Sequence, residues 1–146
     1  IPGIALSTDI IVGYPTETEE DFLDTVDVCK KVGFDYAFTF IYSPRPNTRS
    51  YELPTIDHDI VQDRFQRLLD EIYPIFNEKN KEYLGKRVKV LLESPSKNDP
   101  EVLTGRTDTY KLVHVKADQS LIGQIVEVDI KDHTSFTISG DLVEEY

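Results

Sequence analysis

Few side chains in this chain are equipped for chemistry. There is one thiol, Cys29, and three scattered imidazoles, His58, His114 and His133, with no metal-ligand spacing among them. One thiol nearly excludes an iron–sulfur cluster held by this chain alone, because such clusters take several thiolates. Cys29 shares a helical face with Phe22 and Val26, which reads as a structural thiol. Asp9 is a carboxylate inside the apolar run LSTDIIV, so a polar partner is expected to face it. Arg45 lies between Pro44 and Pro46, which hold its backbone extended and limit its reach to one direction. It serves either a surface salt bridge or a phosphate or substrate contact. Further on, Arg87, Lys97, Arg106, Lys111 and Lys116 accompany Thr107, Tyr110 and His114. Singly these are solvated side chains; as a group on one small domain they have the makings of a basic groove with aromatics, as used for RNA. Gly105-Arg106-Thr107 is the most motif-like stretch.

The elements that must position these residues fall into two sets. Residues 6–12 read as a strand, β-branched and bounded by Gly13 and Pro15, with Ser7, Asp9 and Ile11 facing opposite to Leu6, Thr8, Ile10 and Val12. Thr18 is the expected N-cap of the helix that follows, Asp21 its capping-box partner, and Gly33 its stop. Residues 34–42 form a second strand, ending at Tyr42, Ser43 and SPRPNT. Strand, helix, strand over ~35 residues is a βαβ unit with a parallel sheet, in which ligands gather at the carboxyl ends of strands. GYPTE and SPRPNT both lie on that edge, and a side chain at position 13 would point along it. A long helix is expected from Asp57 to about Leu84, with Val61, Phe65, Leu68, Ile72 and Phe76 on one stripe and Pro74 kinking or splitting it. Beyond Gly85 come five short alternating strands, which predict a small β-barrel or sandwich. The fold class is therefore α/β followed by all-β, with residues 1–84 and 85–146 as the two parts.

Composition limits the function classes. The 146 residues are 39% hydrophobic and 29% charged, with a net charge of −11. No apolar run approaches the ~18–20 residues that span a bilayer. The opening IPGIALSTD has neither Met nor a basic n-region, so it is expected to be the interior of a longer protein rather than a signal peptide. A single cysteine fits a reducing, cytoplasmic setting. Divided after residue 81, the first part has 8 Lys and Arg against 15 Asp and Glu, and the second 8 against 12. Neither part is basic, which argues against strong non-specific binding of nucleic acid.

Three stretches taken together resemble the MiaB-type tRNA methylthiotransferases: TDIIVGYPTETEEDF, VGFDYAFTFIYSPRPNT, and GKRVKVLLESPSKNDPEVLTGRTDTYKLVHV through LIGQIVEVDI, the last looking like a TRAM domain. The resemblance implies that residues 1–84 are the C-terminal part of a radical SAM α/β barrel, with an open strand edge at residues 6–12, and residues 85–146 an OB-like TRAM barrel. It implies an enzyme that uses S-adenosylmethionine and two 4Fe-4S clusters to add a methylthio group to isopentenylated adenosine beside the anticodon. The cluster cysteines of the family lie upstream of Ile1, so this fragment is expected to be inactive alone and to hold no cluster. Asp9, Gly13, Tyr42 and Ser43 become candidates for S-adenosylmethionine, Asp9 alternatively bonding a neighbouring strand outside the fragment and Tyr42 and Ser43 alternatively packing in the core. Arg45, Arg87, Lys97, Arg106, Thr107, Tyr110 and Lys111 become candidates for the anticodon stem-loop of tRNA. The expected partners are tRNA, S-adenosylmethionine and the N-terminal part of the same protein, with no membrane. Thr16 and Asn47 stand where the family usually has Gly. A related branch modifies a ribosomal protein and usually carries an acidic pair at Pro44-Arg45-Pro46; the basic form here favours tRNA. A non-catalytic fragment binding protein is the other reading, in keeping with the −11 charge.

Overall fold

A computed structural model describes residues 1–144, so the last two positions of the expected 85–146 part lie outside the described residues. The chain divides into two compact units, one of Leu6–Ile75 and one of Ile1–Ala5 with the residues from Phe76 onward.

In the first unit, β1 (Ser7–Val12) pairs in parallel with β2 (Tyr36–Ile41), Ser7 opposite Tyr36 and Val12 opposite Ile41. The connecting helix α1 (Glu19–Val32) starts where its sequence dictates. The Thr18 hydroxyl accepts from the Asp21 amide at 3.1 Å, and the Asp21 carboxylate accepts from the Thr18 amide at 2.9 Å. Those bonds satisfy two orphan donors of the first turn, and the one from the Thr18 amide holds the Asp21 carboxyl below its ordinary pKa. Gly33 closes the helix in the left-handed conformation, with Phe22, Val26 and Cys29 buried. The sheet is two-stranded among the described residues, so any larger α/β barrel needs strands from elsewhere. One face is covered, through Ile10, Val12 and Ala37. The other presents Ser7, Asp9, Ile11, Tyr36, Phe38 and Phe40 to solvent, the last four all exposed apolar or aromatic side chains. Asp9, expected to be a buried carboxylate, is thus exposed.

Helix α2 (His58–Lys81) runs through Pro74 as one helix, so of the two expected outcomes, a kink or a split, the split does not occur. Proline removes one backbone bond, at a cost of about 3 kcal/mol. Ile72 and Phe76 flank it, each 1% exposed, and their burial offsets that cost. Arg64 takes an inward position three residues after Val61, while Phe65 is only half-buried.

The second unit is a closed five-stranded barrel. Its strands are β3 (Arg87–Pro95), β4 (Val102–Thr107), β5 (Leu112–Lys116), β6 (Ile125–His133) and β7 (Thr137–Leu142). They run in the order β3-β4-β5-β7-β6, and β6 pairs back onto β3. Only β5 and β7 are parallel. Closure leaves no strand edge to pair with another chain. Alternation puts Val90, Leu92, Leu103, Val113, Val115, Val128, Ile130 and Ile138 inside as one core. Bulges at Leu92/Ser94 in β3 and Ile130/Asp132 in β6 supply the bending that closure needs.

Candidate nucleic-acid interface

The turn between β4 and β5 concentrates the chemistry of the barrel. The Thr107 amide donates to the Lys111 carbonyl at 3.1 Å and the Tyr110 amide to the Thr107 carbonyl at 3.0 Å. The Lys111 amide donates to the Thr107 hydroxyl at 3.0 Å. A run of hydroxyls continues outward: Thr107 to Thr109 at 3.0 Å, and Thr109 to Tyr83 at 2.6 Å. Thr107 is buried and its hydroxyl is used within this scaffold. The turn so braced forces Tyr110 to φ +64° and leaves it 70% exposed. The Arg106 guanidinium carbon lies 4.3 Å from the centroid of the Tyr110 ring, and its Nη1 donates to the Tyr110 carbonyl at 3.2 Å. Lys86 and Lys111 both bring their Nζ within 6 Å of the Tyr83 ring. Arg106, Lys86 and Lys111 thus gather around two tyrosines at one end of the barrel.

The other basic residues stand apart from that turn. Arg87 on β3 is clasped by Asp129 through Nε at 2.8 Å and Nη2 at 3.1 Å, and this pairing holds the Asp129 carboxyl below its ordinary pKa. Lys116 pairs in register with Val102, and Lys97 lies in the loop just before β4, so both sit at the far end of the β4–β5 pair. That separation is about 17 Å at the usual strand rise. His114 is half-buried on β5. Lys86 escaped the sequence reading, because only the Tyr83–Thr109 contact reveals that its neighbourhood belongs to the turn.

In the first unit, Gly13 has φ +84°, and a Cβ there would meet the Val61 methyls at 2.7–2.8 Å. A side chain at position 13 would therefore run into α2 rather than along the strand's open end. The Gly13 amide donates to the Glu17 carboxylate at 3.2 Å. Glu17 is in turn held by Arg64, whose Nη1 reaches both its carbonyl and its carboxylate at 3.1 Å. Thr16 adopts φ +87° in the turn closed by the Glu17 amide on the Tyr14 carbonyl, and Asn47 adopts φ +67°. Both are positions where glycine would be relaxed. Arg45 and Ser43 are exposed. Tyr42 packs edge-on against Tyr14, and its buried hydroxyl has no hydrogen-bond partner among the described residues.

These residues bear differently on the two kinds of cofactor. Among the described residues no three His, Cys, Asp or Glu side chains gather as a metal site. Cys29 is a free, buried thiol whose pKa is pushed up by desolvation, the wrong state for a cluster ligand. Anaerobic reconstitution with iron and sulfide is expected to leave no stoichiometric cluster, read by visible absorption and metal analysis; one [4Fe–4S] per chain would contradict this. For a nucleoside cofactor the candidates offer one unsatisfied group, the Tyr42 hydroxyl, which is itself buried.

Residues 81–143 match the TRAM domain. Over 99% of its length the chain is 56% identical to tRNA-2-methylthio-N(6)-dimethylallyladenosine synthase of Finegoldia magna, covering 32% of that protein. It is 50% identical to the protein of the same name from Clostridium perfringens and 47% identical to that from Alkaliphilus oremlandii, again over 99% of this chain. The chain thus spans about a third of the length of the curated relatives it matches. The chain thus carries a TRAM domain and is similar, along nearly every residue, to a C-terminal part of proteins named tRNA-2-methylthio-N(6)-dimethylallyladenosine synthase.

Proposed function

We propose that this chain is the RNA-docking portion of a methylthiotransferase acting on the isopentenylated adenosine beside the anticodon, in the cytoplasm. In this reading residues 85–146 hold the anticodon stem-loop, and residues 1–84 contribute strands to a radical SAM barrel completed by the rest of the longer protein. The observation that carries it is the turn of β4 and β5, where three cations surround two tyrosines. S-adenosylmethionine, when bound, supplies the methyl group and the radical chemistry, and the two 4Fe-4S clusters belong to cysteines outside this chain. Asp9, Gly13, Tyr42 and Ser43 are our candidates for the cofactor's nucleoside, supported chiefly by the Tyr42 hydroxyl. For RNA, Arg106 and Tyr110 lead, with Thr107 and the buried Lys111 shaping the turn and Arg45, Arg87 and Lys97 as outlying contacts. The names of the relatives favour tRNA over a ribosomal protein as substrate. The exposed Ile11, Phe38 and Phe40 favour a protein surface against the sheet, which the remainder of the longer protein would meet as well as a separate partner.

The barrel part bears more acidic than basic residues, so few phosphate contacts are available. Binding of an anticodon stem-loop is expected to be no tighter than ~10⁻⁵ M at physiological salt, near the non-specific range. Arg106→Ala should weaken it by about 1 kcal/mol and flatten the salt slope by nearly one contact. Glu20→Gln on α1 should change little. Fluorescence anisotropy across a salt series measures both. An Arg106 variant indistinguishable from the parent, or no binding at low salt, would favour the protein-binding reading instead.

A further inference from the structure

Tyr110 is an anomaly on two counts. A bulky residue with positive φ costs backbone energy that glycine or asparagine would avoid. The residue is 70% exposed, so burial returns little of that cost. Strain kept at a single exposed aromatic points to a use for the ring itself.

The surroundings define that use. Four hydrogen bonds across the turn fix the Tyr110 backbone, so the ring is presented rather than loosely tethered. Arg106 lies over one face at 4.3 Å, anchored by its bond to the Tyr110 carbonyl. A planar cation on one face leaves the opposite face as the exposed one. Tyr83 offers no equivalent surface, since it is half-buried and its hydroxyl is taken by Thr109.

We propose that the outer face of Tyr110 is a stacking platform for one unpaired nucleobase, with Arg106 as its backing. This rests on the reading that the barrel binds RNA, and adds which part of the RNA it takes. Every base has a π-face, so the platform is tolerant of sequence. It is selective for single strands and loops, because the bases of an A-form duplex are already stacked. The guanidinium beneath the ring supplies positive charge close to the backbone of the nucleotide that stacks.

The test is Tyr110→Gly in the 146-residue chain, with Tyr110→Phe as the conservative variant. The probe is a 12-nucleotide single-stranded RNA carrying one 2-aminopurine. Glycine relaxes the backbone, so the variant should melt no lower than the parent. It should bind the probe about tenfold more weakly, as for loss of one base–aromatic stack, and lose the 2-aminopurine quenching. Its salt slope should stay unchanged, because no charge is removed. Tyr110→Phe should behave as the parent, and a 12-base-pair RNA duplex should not distinguish the variants. Equal affinity and quenching for the glycine variant overturn the platform while leaving RNA binding standing. A flattened salt slope in that variant overturns it too, since the effect would then belong to a displaced Arg106. No binding by the parent at low salt overturns the underlying reading and the platform together.

Discussion

Gly140→Ala is expected to destabilise the barrel by about 3 kcal/mol, the upper end of the range for overpacking a tight interior. A Cβ at this position would collide with the Asp129 carbonyl, and its other near neighbours, the Asp129 carbonyl carbon and Ile130 Cα at 2.7 and 2.9 Å, are also backbone. No flexible side chain can give way. Only a movement of β7 away from β6 makes room, and those strands pair from Val128 to His133. Gly123→Ala is the control. Gly123 has φ +86° but open space around it, so only the left-handed backbone is penalised, at about 1 kcal/mol. Urea denaturation followed by far-ultraviolet circular dichroism compares the two midpoints. Equal losses would mean that the barrel breathes enough to absorb a methyl group, and the close approach would lose its structural meaning.

Gly105 raises the same point at a place where sequence alone suggested chemistry. The triplet Gly105-Arg106-Thr107 looks like an RNA-contact motif. Its glycine has a steric reason, since a Cβ would strike the Leu91 carbonyl of β3. Its threonine has an architectural one, in the hydrogen bonds of the turn. Only Arg106 presents its functional group at the surface of the motif. The residue types of the candidate interface were legible, because basic and aromatic residues separated by a short turn announce themselves. The backing of Tyr110 by Arg106 was not, because it depends on a φ value that no residue type other than glycine advertises. Lys86 was illegible for a different reason. It joins through a contact between Tyr83 and Thr109, 26 residues apart.

Local signals read well throughout. Thr18, Asp21 and Gly33 bracket α1 as their side chains require, because capping involves only neighbours within one turn. Alternation in β1 sorted its residues correctly onto two faces, yet it could not say which face is covered. That is decided by what packs there, and Asp9 lies on the exposed face. Pro74 does not split its helix, because its helix-breaking tendency is local while the burial of Ile72 and Phe76 is tertiary. Arg64 was hidden in plain view: it stands three residues after Val61 and four before Leu68, on the inward stripe, where a charged residue is easily read past.

Arg64 carries the other large expectation. Its side chain is 7% exposed and that of its partner Glu17 is 11% exposed. The guanidinium also reaches the Glu19 carboxylate through Nε at 3.1 Å, but Glu19 has a second cation in Arg67, at 2.6 Å. Removing Arg64 therefore strands Glu17 in particular, leaving its buried carboxylate with the Gly13 amide alone. Breaking one partner of a buried pair costs about 3–5 kcal/mol, mostly as the penalty of the unpaired charge. Arg64→Met, which keeps the stem and drops the charge, is expected to fall at the lower end of that range because Glu17 retains one donor. The double variant Arg64→Met, Glu17→Gln should recover more than half of the loss, since no charge is then buried without a partner. Chemical denaturation of parent, single and double variants gives the comparison. A double variant no more stable than Arg64→Met would show that the pair stabilises outright and that desolvation of Glu17 is unimportant. The consequence reaches the carboxyl end of β1. Glu17 holds the Gly13 amide at the carboxyl end of β1, so the neutral double variant should restore stability but weaken the grip on the GYPTE turn, seen as faster amide exchange at Gly13.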